Sequence, residues 1–80
     1  MDINQADHPI VEARANLSDL LSAVQLLRRT YFLTGRGKRK AAVIPKELGE
    51  LIERAGGPDR AAAILEGHLA SADHDRTSPR

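Results

Sequence analysis

The chain has no cysteine and no tryptophan, and a single tyrosine, phenylalanine and methionine. Without cysteine there is no disulfide to staple a small fold and no thiolate for a structural zinc site. With Tyr31 and Phe32 as the large aromatics, the core must be built from Leu, Ile, Val and Ala. No apolar run approaches the roughly 20 residues of a membrane span. Residues 1–9 are too acidic and polar for a secretory signal. A cytoplasmic protein with no membrane partner is therefore expected. Arranged catalytic groups are also missing. Ser18, Ser22, Ser71 and Ser78 have no histidine pattern around them. Gly35-x-Gly37 lacks the helix that a phosphate loop runs into. His68 and His74 are six apart, which is not a helical ligand spacing. No enzyme, metal or cofactor is expected.

Acidic residues are absent from residues 20–46, which hold seven basic ones: Arg28, Arg29, Arg36, Lys38, Arg39, Lys40 and Lys46. The net charge of +1 hides this block, because the chain on either side of it is acidic. Such a concentrated positive field is the footprint of a polyanionic partner. It is also what a solvated basic hairpin uses to keep an edge strand from aggregating.

Eighty residues hold one domain, and 41% hydrophobic content is too high for a wholly disordered one. A core this thin, with no disulfide, is commonly completed by self-association, so a homodimer is expected. Residues 8–11 can form a short strand, confined to an edge by Pro9. Leu17, Leu20, Leu21, Val24 and Leu27 recur at helical spacing and predict a helix over residues 12–27. Arg14 and Asn16 stand near its start, where free N–H groups favour an anion. Residues 30–34 read as a strand, 35–38 as a turn and 39–44 as the return strand of a basic hairpin. Pro45 opens a second helix with Leu48, Leu51, Ile52 and Ala55 on one face, ended by Gly56-Gly57-Pro58. A third helix is expected over residues 59–70, with Ala61, Ile64, Leu65 and Leu69 on one side. Residues 1–7 are expected to fray, and 71–80 to be disordered.

Three segments in this order, Glu12-Ala13-Arg14-Ala15-Asn16-Leu17-Ser18-Asp19-Leu20-Leu21, Thr34-Gly35-Arg36-Gly37-Lys38 and Ala42-Val43-Ile44-Pro45, resemble the Phd/YefM family of bacterial antitoxins over residues 9–55. The resemblance implies an α+β fold: a small β-α-β-β-α dimerisation and DNA-binding module over residues 1–56. It implies a flexible toxin-binding segment with a disordered end over residues 57–80. It implies a type II antitoxin that represses its own operon as a homodimer on operator DNA. Its C-terminal part would neutralise a cognate toxin, RelE/YoeB-like or Doc-like. Carried onto this chain, DNA contact falls to Arg14, Asn16 and Thr34, and to Arg36 or Lys38. The family usually has a basic residue directly after the threonine, and here that residue is Gly35. A family glycine after the first helix is replaced by Leu26-Leu27-Arg28-Arg29, so a more helical junction is expected there. Leu17, Leu20, Leu21, Val24 and Phe32 are the expected dimer contacts. Leu51, Ile52, Ile64, Leu65 and Leu69 are the expected toxin contacts. Two alternatives stay open. Val43-Ile44-Pro45-Lys46-Glu47-Leu48 also resembles the end of the AbrB/MazE swapped-hairpin motif, a DNA-binding regulator with no toxin. The other is an inhibitor or adaptor whose basic hairpin binds acidic protein.

Overall fold

The computed structural model describes the backbone of residues 2–77 and the side chains of residues 2–72. The fold is α+β, with a mixed three-stranded sheet and several helices. The chain divides into two units, Met1–Leu48 and Gly49–Arg80. The composition break at Gly56 lies inside the second of them.

In the first unit, β1 (Asp7–Pro9) leads directly into α1 (Ile10–Ala15) and α2 (Leu17–Leu27). The chain then forms β2 (Tyr31–Gly35) and β3 (Lys38–Val43), and enters α3 (Lys46–Arg54). The strands lie in the order β1-β2-β3. β1 is parallel to β2, and β2 is antiparallel to β3. Parallel neighbours need a long crossover, and the α1–α2 pair supplies it. Pro9 sits on the edge strand, where its missing N–H interrupts no ladder.

The single helix expected over residues 12–27 is two helices, so the element order over residues 1–56 is β-α-α-β-β-α in place of β-α-β-β-α, and the further helix expected after it is α4. The break is at Asn16, with φ −122° and ψ 29°. Its backbone N–H is shared between the Glu12 and Ala13 carbonyls, and its Nδ2 donates to the Glu12 carbonyl at 3.0 Å. A short amide side chain that bonds its own backbone competes with helix propagation. The helix restarts when Leu20 N–H donates to the Asn16 carbonyl.

The core consists of Ala13, Leu20, Ala23, Val24 and Tyr31, with Leu33 and Val43 packed against it. Tyr31 is fully buried and donates its hydroxyl to the Ile3 carbonyl at 2.6 Å. His8 is 1% exposed and meets Tyr31 edge-on, with ring centroids 5.1 Å apart. One aromatic thus supplies much of the apolar area of a thin core. The expectation that residues 1–7 fray is corrected from residue 2 onward. Arg29 donates to the Ile3 and Asn4 carbonyls, His8 Nε2 to the Gln5 carbonyl, and Phe32 N–H to the Ala6 carbonyl.

The expected extra helicity after Leu27 is also corrected. Arg28 adopts the left-handed conformation, φ 55° and ψ 45°, and stops α2 as a glycine would. Its guanidinium pairs with Glu47 at 3.0 Å.

The second unit holds most of α3 and α4 (Pro58–Thr77). Gly57 N–H donates to the Ile52 carbonyl and Gly56 N–H to the Glu53 carbonyl, the paired bonds of a Schellman ending. Both glycines have positive φ, 105° and 106°, as that ending requires. Ala61 N–H then returns to the Gly57 carbonyl and starts α4. Helix α4 passes the expected end at residue 70 and runs to Thr77, so the structureless tail is corrected over residues 71–77. Residues 78–80 of that tail lie outside the described residues. No helix among the described residues is long and apolar enough to cross a membrane.

Candidate nucleic-acid interface

The basic block of residues 20–46 is sorted by the fold into two groups. Three of its members serve the structure. Arg28 pairs with Glu47, and Arg29 holds residues 3 and 4. Arg39 pairs with Asp7 at 2.9 Å and lies over the Phe32 ring at 3.7 Å. The others, Arg36, Lys38, Lys40 and Lys46, are exposed and have no carboxylate partner among the described residues. Arg14 is exposed and equally unpaired; the possible ion pairs with Glu12 or Asp19 are not formed.

Sheet geometry brings several of these free cations together. Pro9 pairs with Thr34, so β1 ends and α1 begins beside the hairpin turn. Gly35 pairs with Lys38, leaving Arg36 and Gly37 as a two-residue loop. Both have positive φ, 53° and 76°, the requirement of a type I′ turn. Ile10, the first residue of α1, reaches the same spot. Its Cδ1 lies 3.6 Å from where a Cβ on Gly35 would be. Arg14 is four residues on and shares the face of Ile10, about 6 Å farther along the axis. Arg36 and Lys38 therefore stand at the hairpin turn beside the start of α1, with Arg14 one helical turn farther along that helix.

The expected anion site at a helix start is not what carries this charge. Arg14 lies in the last turn of α1, and the first turn of α1 holds Glu12. The start of α2 holds Asp19, which lines a shallow hollow of about 190 Å³ together with Arg14, Asn16 and Leu17. Asn16 spends one amide hydrogen on the Glu12 carbonyl. Thr34 is half-buried and points to the sheet face of its neighbour Arg39, opposite to Gly35. It does not join the free cations.

The residues expected at the dimer contact divide as well. Leu20 and Val24 are spent in the core of the protomer. Leu17 and Leu21 remain about half exposed. Phe32 is half-buried beneath the Arg39 guanidinium. In the second unit, Leu51, Ile64, Leu65 and Leu69 are all more than half exposed, while Ile52 is partly covered.

Lys40 was not separable from its basic neighbours in the sequence. Its distinction is a β-bulge: Leu33 pairs with Ala41 and Thr34 with Arg39, so Lys40 has no partner opposite. No signal in the residues themselves foretells it. Compared with family models, with curated proteins and with solved structures, the chain gives no match in any of the three.

Proposed function

We propose that this chain is a type II antitoxin of the Phd/YefM kind. As a homodimer it binds operator DNA and represses its own operon, and its C-terminal unit neutralises a cognate toxin, RelE/YoeB-like or Doc-like. The observation that carries the DNA half is that Arg36 and Lys38, without carboxylate partners, stand at the hairpin turn beside the start of α1, with Arg14, also unpaired, one turn along that helix. Cations with no carboxylate partner are free to neutralise phosphates, and each one that does so releases counterions. Arginine adds a fork of donors suited to guanine edges. A two-fold pair of such ends fits successive grooves of a duplex. The toxin half is supported by the resemblance and by the exposed apolar side chains Leu51 on α3 and Ile64, Leu65 and Leu69 on α4. Apolar side chains exposed on helices dock in partner grooves.

The test is a titration of the chain against duplex from its own upstream region, repeated over a range of salt. Affinity falling steeply with salt, weakened by Arg14→Ala without change in sedimentation, supports the reading. Affinity indifferent to salt removes it. An AbrB/MazE-like hairpin exchange has less support, since β2 and β3 pair within one chain.

A further inference from the structure

The bulge in β3 gives Lys40 a course that its neighbours do not share. A bulge leaves one residue without an opposite partner and re-aims its side chain. Here the side chain passes beside Gly35, the one residue of β2 with no side chain of its own. Lys40 Cγ and Cε lie 3.5 Å and 3.7 Å from the place a Cβ on Gly35 would occupy, and Ile10 Cδ1 lies 3.6 Å from the same point. The lysine stem therefore lies at van der Waals distance from the space beside the glycine, a space that the first side chain of α1 borders as well. Lys40 as a whole is exposed, and its ammonium has no carboxylate within 4.0 Å among the described residues. A lysine with its methylenes laid on the protein and its head in water has a charge of fixed position.

We infer that Lys40 is a phosphate-contacting residue, left without a cross-strand partner by the bulge and with its stem laid beside Gly35. There it joins the charges of the turn to Arg14 on α1 in one cationic strip. The inference rests on the DNA-binding reading above and adds to it a contact with the sugar–phosphate backbone rather than with a base. Its recognition is therefore independent of sequence. Gly35 acquires a role as well: it keeps open the channel in which the lysine lies. Its φ is not in the left-handed region and a Cβ there would meet its neighbours at ordinary contact distance, so what the lysine needs at this position is a small residue rather than glycine alone.

The test uses the full-length chain and a mixed-sequence duplex of about 30 bp, with affinity measured across salt. Lys40→Met keeps the stem and removes the charge. It is expected to lower the salt slope by about one per protomer and to weaken binding about eightfold per protomer near 0.1 M salt, or about sixtyfold for a dimer that loses two phosphate contacts. Lys46→Met removes the same net charge from the start of α3 and is expected to change neither. Gly35→Leu leaves every charge in place but fills the channel, and is expected to reproduce the loss seen with Lys40→Met. Gly35→Ala, whose methyl meets its neighbours at ordinary contact distance, guards against a folding defect and is expected to bind nearly as the parent does. Equal effects of Lys40→Met and Lys46→Met, or a Lys40→Met slope like that of the parent, overturn the assignment while the DNA-binding reading stands. A parent chain that binds no duplex overturns both.

Discussion

At the scale of single residues, two side chains are set against ordinary preference. Arg36 takes a left-handed conformation in a turn where asparagine or glycine is at ease. A strained position kept for a cation is consistent with a contact made outside the protein. Arg36→Asn creates the favoured Asn-Gly turn and is expected to stabilise the chain by roughly 0.5–1 kcal/mol. The same change is expected to weaken duplex binding, so urea melts and titrations should move in opposite directions. Tyr31 is the second case, because its buried hydroxyl has one partner, the Ile3 carbonyl. Tyr31→Phe is expected to cost about 1 kcal/mol, with faster hydrogen exchange at the Phe32 amide that bonds Ala6. Neither residue announces this in the sequence. Positive φ at an arginine contradicts local preference, and the partner of Tyr31 is 28 positions away.

At the scale of elements, periodicity located the three strands, α2, α3 and α4, but it merged α1 into α2, placed Ile10 and Val11 in a strand that ends at Pro9, and misjudged several ends. The spacing of Leu17, Leu20, Leu21, Val24 and Leu27 is helical, and all five lie in α2. What it could not reveal is the interruption at Asn16, where a side-chain bond to the Glu12 carbonyl competes with one more turn. Asn16→Ala removes that competition. Circular dichroism should then report more helix, and duplex affinity should fall as Ile10 and Arg14 swing away from the hairpin. The start of α3 gives a prediction in pH. The carboxyl of Glu47 is held below its usual range, chiefly by the backbone N–H of its own residue and next by Arg28. A carboxyl lowered by folding stabilises the chain above its ordinary value near 4.5, and that contribution is lost as pH falls through the lowered one. Melting temperature should therefore drop less below pH 4.5 in Glu47→Gln than in the parent.

At the scale of the molecule, the division into Met1–Leu48 and Gly49–Arg80 separates the free cations from the exposed apolar side chains of α3 and α4. Under the proposed function the two activities are then separable by substitution. Leu65→Asp is expected to abolish co-purification of a protein partner and to leave duplex affinity within twofold, a small change on the scale of one lost phosphate contact. Arg14→Ala is expected to do the reverse. The α+β class was legible from the order of apolar runs and turns. The sorting of the basic block was not, because Arg39 and Lys40 differ only in which face of β3 they reach. The pleat separates them, but which of them meets Phe32 and which meets Gly35 is decided by the pairing register, a property of two strands rather than of one stretch of sequence.

Residues 3–5 are gripped through their backbone. Tyr31, Arg29 and His8 all take hold of peptide oxygens, those of Ile3, Asn4 and Gln5. Every amino acid offers that oxygen, so the leading segment can drift in composition while keeping its anchorage. Alanine replacements at positions 3–5 should melt close to the parent, whereas excision of the same three residues should lower the melting temperature sharply. The grip is written in the residues that hold, and the residues held are free to change.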